Sequence, residues 1–279
     1  MSWVSPKGTQ RIAVGVLGAA TLATLLVLLF IIVFVLEKGL RTLSWNFLFT
    51  DPQNMGRAGG IFPTLIGTLL LPLLALAVAL PLGVGTAVYL TEYTREGRLT
   101  RLIRFGTDCL AGIPSIIFGL FGFIFFVTIL KMGWCLLAGG LTLAIMILPT
   151  IIRTTEEAIR AVPYSYREVS FSLGATRWAT VVKVVLPNAL PGIVTGVMLS
   201  IGRCIGETAA VIFTAGSSLH LPGSVFDSVR TMSVHFYILA REGVSAENAY
   251  GTAAVLIISI LLLNVSTYWL MHRFIGRRA

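Results

Sequence analysis

Two charged side chains stand inside an apolar run in the last third of the chain, Arg203 and Glu207, in the stretch GRCIGETAA. Each costs about 2.5 to 3.5 kcal/mol at the centre of a membrane helix, so both belong against a bundle interior or a water-filled cavity. Their spacing of four puts them on one face of a helix, and Ser200 and Thr214 extend that polar stripe above and below. A guanidinium is a charged fork that matches a tetrahedral oxyanion. A carboxylate beside it repels a fully ionised anion but accepts a hydrogen bond from a protonated oxygen. The pair therefore suits a hydrogen-bearing anion such as phosphate better than sulfate. The same spacing also fits an intrahelical ion pair that neutralises itself and holds the bundle together, and residue type alone leaves both readings open.

Other chemistry is missing from the sequence. There is no GxxxxGK[ST], so the chain supplies no phosphate-cradling loop for ATP. His220, His235 and His272 are scattered, without HExxH, and no GxSxG marks a serine nucleophile. Cys109, Cys135 and Cys204 lack CxxC spacing and are odd in number, which supports neither a disulfide framework nor a zinc site; they read as small buried hydrophobes. An enzyme is not expected, nor any metal or cofactor bound by the chain itself.

The elements that must position Arg203 and Glu207 are membrane helices. The chain is 56% hydrophobic and 12% charged, against roughly 25% charged in soluble domains. Apolar runs of spanning length lie near 12–36, 64–90, 109–130, 134–152, 189–213 and 252–271, and give six transmembrane helices. The first is too long for a signal-peptide core and reads as a retained helix. Lys and Arg collect on one side: Lys7 and Arg11, then Arg95 to Arg104, then Arg153 to Lys183, then Arg273, Arg277 and Arg278, fourteen in all, against six on the other. The positive-inside rule puts both termini in the cytoplasm. The net charge of +9 then needs no nucleic acid. Facing outward are 37–63 and 215–251, and Phe226 to Arg241 has the pattern of a short amphipathic helix. Pro72 and Pro81, Gly112 with Pro114, and Pro149 interrupt the second, third and fourth helices, as a translocation path would favour. Gly192 with Gly196 and Gly202 with Gly206 permit close approach of a neighbouring helix.

One loop has a distinctive skeleton. From Glu168 to Pro187 it reads EVSFSLGATRWATVVKVVLP. Pro163 fits a first helical turn, no breaker follows until Leu173, and Gly174 is a left-handed stop. Trp178, Val181, Val182 and Val185 then form one apolar face of a second short helix that Pro187 ends. The acidic residue, the glycine six positions on and the closing Leu186-Pro187 resemble the EAA loop of bacterial ABC importer permeases, with Val169 and Ser170 where two alanines are usual.

GGIFPTLIGTL (59–69), GIPSIIFGLFG (112–122), the run 148–193 and GRCIGETAAVIFTAG (202–216) sharpen the likeness. Together they resemble the PstA-type permease family of phosphate-specific ABC importers, from about residue 45 to the C-terminus. The resemblance implies an all-α type I ABC importer permease fold in the bacterial inner membrane. It implies a first helix and external segment over 1–60, a permease core over 61–279, and a coupling loop over 156–187. Arg203, Glu207, Ser200 and Thr214 would line the substrate path; Glu168, Ser172, Gly174, Ala175, Leu186 and Pro187 would belong to the loop that docks the ATPase. The implied partners are a PstC-type permease, two PstB-type ATPase subunits that use ATP and Mg, and a PstS-type phosphate-binding protein. Also open are a permease for molybdate or phosphonate, or the paired PstC-type subunit itself. A secondary transporter would show inverted repeats, which are absent.

Overall fold

The computed structural model describes residues 6–275, so Arg277 and Arg278 of the charge count lie outside the described residues. The chain runs α1 (Pro6–Leu40), α2 (Trp45–Phe49), a two-residue ribbon β1 (Pro52–Gln53) and β2 (Ala58–Gly59), then α3 (Phe62–Val88), α4 (Arg98–Ala111), α5 (Ser115–Gly122) and α6 (Leu136–Ala161). It continues through α7 (Tyr164–Ser172), α8 (Arg177–Thr180), α9 (Leu186–Gly206), α10 (Ala209–Thr214), α11 (Met232–Arg241) and α12 (Ala246–Ile275). Among the described residues five helices are long and apolar enough to cross a membrane, and the pair α4 and α5, bent by 100°, makes a sixth passage if counted as one.

The core forms where α3, α6, α9 and α10 meet, around Leu71, Ala75, Leu143, Ile147, Ile151 and Val211. Small residues set the spacing. A Cβ on Gly192 would lie 2.6 Å from that of Ala158, and one on Gly196 would strike Thr154, so this glycine pair locks α9 against α6 as expected. Gly202 and Gly206 meet nothing within 4 Å and leave an open face instead.

Five expectations need correction. The third span does not continue from 109 to 130: Gly112, Ile113 and Pro114 break it, and α4, with Arg98, Arg101, Arg104 and Asp108 on one side, is an amphipathic arm. Cys109 on that arm is exposed; Cys135 and Cys204 are buried. Pro187 does not end the second loop helix, because a π-helical turn at Val181–Val185 opens the backbone ahead of it and the helix runs unbroken from Arg177 to Gly206. In this helix Val181 and Val185 are buried while Trp178 and Val182 are exposed, so the apolar face is narrower than its spacing indicated. The helix expected over Phe226 to Arg241 begins only at Met232, with Thr231 as its cap.

The segment leading into α11 contains a buried cation. Arg230 is 7% exposed and donates through Nε to the Ser217 carbonyl at 2.8 Å; its Nη1 lies 3.4 Å from Nδ1 of His235, itself 1% exposed. Arginine only donates, so Nδ1 accepts and the imidazole proton sits on Nε2. Gly56, at φ +93°, makes room for this ring, since a Cβ there would lie 2.7 Å from His235 Cε1. Burial, then the Arg230 charge, push the His235 pKa down to about 4. The unfolded chain accepts a proton near pH 6.5 that the fold refuses, so stability is full above that value and falls as pH drops toward 4. We expect the thermal midpoint of the solubilised protein to decline over this window, and His235→Gln to flatten the decline; equal declines would refute the assignment.

Candidate functional site

The fifth span is broken where its charges stand. α9 stops at Gly206, and Glu207 is extended, with φ −75° and ψ 128°. α10 then restarts at Ala209. Bare backbone at membrane depth must be satisfied by protein or face a water-lined cavity. Here the Glu207 N–H bonds the Cys204 carbonyl at 3.2 Å, and the Glu207 carbonyl accepts from Ser233 Oγ of α11 at 2.7 Å. The interruption is thus a built feature, tied to α11.

This break changes the expected geometry of the pair. Arg203 ends a helix and Glu207 lies past its end, so they do not share one continuous helical face. Both are half-buried, and no ion pair joins them or engages either one with another described residue. Ser200 and Thr214 are fully buried and donate to Gly196 and Ala210 of their own helices, at 2.8 and 2.6 Å. The stripe of four is therefore two half-exposed charges flanked by two satisfied hydroxyls. Counting from Arg177 at the α7 end, Arg203 lies 26 residues along the helix, about 39 Å at 1.5 Å per residue.

Beside the break opens a groove of about 1110 Å³ between α5, α10 and α11. Thr208, the neighbour of Glu207, lines it with Ser217, Ser228 and Arg241 on the polar side and with Leu120 and Phe213 on the apolar side. The sequence reading singled out none of these for the site. Gly216, at φ +87°, turns the chain so that Ser217 follows α10, and a Gly-Ser-Ser tripeptide after an apolar run was the only signal.

The second candidate lies at the opposite end of the bundle. α7 is closed by a Schellman turn: Ala175 N–H bonds the Ser170 carbonyl at 3.1 Å and Gly174 N–H, at φ +79°, that of Phe171 at 2.9 Å. Gly174 and Ala175 thus have a backbone reason for their places. Glu168, Val169, Ser172 and Leu173 face outward, Leu173 at 83% exposure, giving a short helix with an unpartnered apolar and acidic face. Ser170, where alanine is usual, bonds Thr180 of α8 at 2.8 Å and knits the two short helices together. Leu186 and Pro187 lie half-buried in the first turn of α9, apart from the exposed turn.

Arg167 holds this helix in place, and the sequence reading missed it. It is 7% exposed; Nε and Nη2 reach Glu92 at the end of α3 at 3.0 and 2.7 Å, Nη1 bonds the Val162 carbonyl at 2.9 Å and Nη2 that of Ile159 at 3.1 Å. One guanidinium thus ties α7 to the ends of both α3 and α6. Removing one member of a buried pair costs about 3 to 5 kcal/mol, because the other is left uncompensated. We expect Arg167→Ala to expose α7 to protease while the spans persist, and Glu92→Gln to give a milder version. Unchanged cleavage in both variants would contradict the anchoring.

Residues 79–279 match the model of a family described as binding-protein-dependent transport system inner membrane component. The chain is 35% identical over 282 aligned residues, 95% of each chain, to the probable ABC transporter permease protein YqgI of Bacillus subtilis. It is 39% identical to the phosphate transport system permease protein PstA 1 of Mycobacterium tuberculosis, over 79% of this chain and 73% of that protein. Among solved structures it resembles a chain of a bacterial ABC transporter involved in alginate import, with TM-score 0.68 and 14% identity, covering 95% of this chain and 98% of that one. A chain of the inward-facing MetNI methionine transporter matches with TM-score 0.60 and 24% identity, over 77% and 94%.

Proposed function

We propose that this chain, which belongs to the family of binding-protein-dependent transport system inner membrane components, is a permease subunit of an ATP-driven importer of inorganic phosphate. It is a multi-pass inner-membrane protein of the type I ABC importer permease fold, and works with a second permease, an ATPase and a binding protein. The relatives named for phosphate transport support the substrate. So does the site: an arginine and a glutamate, both half-buried and unpaired with each other, stand at a break in a membrane span beside a wide groove. That break is the observation that carries the reading, since an interrupted span is tolerated where it lines a path.

In this reading Arg203 receives an anionic oxygen of phosphate, and Glu207 accepts a hydrogen bond from its protonated oxygen. Ser200 and Thr214 hold the two half-helices rather than touching the ion. The exposed face of α7, with Glu168, Ser172 and Leu173 and the turn at Gly174 and Ala175, docks the ATPase. The partners are then a PstC-type permease, two PstB-type ATPases that use ATP and Mg, and a PstS-type binding protein; this chain itself binds no cofactor and performs no catalysis. The charge count orients α7 toward the cytoplasm, with the α11 segment outside.

Arg203→Gln combined with Glu207→Gln separates transport from structure. A neutral amide cannot replace the charged fork, so the double variant should assemble and hydrolyse ATP but import phosphate at least about ten-fold more slowly, the worth of one charge-assisted hydrogen bond. Uptake into vesicles carrying the whole complex, measured beside subunit recovery, is the test. Normal uptake by the assembled double variant would show the pair to be structural.

A further inference from the structure

A polar cavity of about 290 Å³ lies between α4 and α6, near the α7 end of the bundle. Arg104, Arg153 and Arg160 line it together with Asp108, Glu156 and Glu157. Part of this charge is spoken for. Arg153 pairs with Asp108, and Arg104 bonds Glu96 through Nη1 at 2.8 Å. The rest is not. Glu156 is 8% exposed, and its Oε1 is buried without a hydrogen bond. Arg104 Nε is also buried without one, its nearest acceptor being its ion-pair partner Glu156 Oε2 at 3.4 Å. Arg160 has only a 3.9 Å contact to Glu96. The groups with bonding capacity left are therefore the Arg160 guanidinium and Arg104 Nε as donors, and Glu156 Oε1 and the exposed Glu157 as acceptors.

We propose that this cavity is a second oxyanion site, specific for a hydrogen-bearing anion, of which phosphate is the type. Arg160 and Arg104 Nε supply the donors, and Glu156 Oε1 accepts from the protonated oxygen; sulfate, which has no hydrogen to give at neutral pH, would set an oxygen against that carboxylate. The site lies off the route through the broken span. Thr154 and Ala158 of α6 face α9 through Gly196 and Gly192, and Glu156, two residues from each, is turned about 200° away from them. A bound ion would instead join α4 to α6. α4 meets α5 at the Gly112–Pro114 break, and Gly119 of α5 packs on Ala210 of α10, where a Cβ would lie 2.8 Å from the Ala210 Cα. Occupancy would thus steady the arm whose continuation lines the transport groove. With the orientation proposed above, the ion comes from the side on which phosphate is released, so the regulatory reading rests on the proposed function while the binding itself does not.

Hydrogen exchange of residues 98–111 in the complete transporter, titrated with inorganic phosphate or sulfate without the binding protein or ATP, is the test. Phosphate should slow exchange in that segment and sulfate should not. Arg160→Gln, at a half-exposed residue with little structural contact, should raise the phosphate concentration required by about ten-fold. Glu156→Gln exchanges the acceptor for a group that also donates, and should let sulfate protect as phosphate does. No protection by millimolar phosphate, or equal titrations in the parent and Arg160→Gln, would overturn the site and leave an internal ion-pair network. If the complex failed to import phosphate yet showed this protection, the proposed function would fall and the site would stand.

Discussion

Within hydrocarbon, a backbone N–H or C=O left bare costs several kcal/mol, so a chain in the membrane either stays helical or finds each freed group another partner. Most of this architecture obeys the first option: α1, α3, α6, α9 and α12 are long, and threonines along them return their hydroxyls to carbonyls one turn back. The informative places are those where the second option was taken. At Glu207 the freed carbonyl is met by Ser233, and at Gly112–Pro114 the chain turns by 100° into an amphipathic arm. The π-helical turns ending α3 and α5 and preceding α9 shift register without losing bonds.

The same constraint decides where charge can sit. Arg203 and Glu207 stand at an interruption and are half-exposed, whereas Arg167 and Glu92 are almost wholly buried, paired, and further bonded to helix-end carbonyls. The first arrangement keeps its donors and acceptor available to an ion. The second uses every strong contact to fix the geometry of a small exposed helix. The open arrangement and the locked one lie at opposite ends of the bundle.

Much of this was legible before the fold was known. The apolar runs placed the spans, and Pro163 and Gly174 placed α7 and its closing turn almost to the residue, because a fixed φ and a left-handed turn are local properties. Gly192 and Gly196 announced close helix packing correctly. Non-local features did not show. Arg167 and Glu92 are 75 positions apart, and nothing in either neighbourhood points to the other. The break at Glu207 has no proline to mark it; it is held by Ser233, 26 positions on. Pro187 misled in the opposite direction, since a preceding π-helical turn absorbs the missing hydrogen bond. Ser200 and Thr214 matched a polar stripe by spacing but spend their hydroxyls on their own helices.

The proposed substrate path depends on the span being open at Glu207 and Thr208. Cysteines placed singly from 200 to 214, in a background without the three native ones, would report this through reaction with a hydrophilic thiol reagent in the assembled transporter. The account predicts that positions 203, 207 and 208 react and that phosphate slows them, while 200, 210 and 214 stay shielded. A helical periodicity running unbroken through 206–209, with 207 and 208 protected, would contradict it.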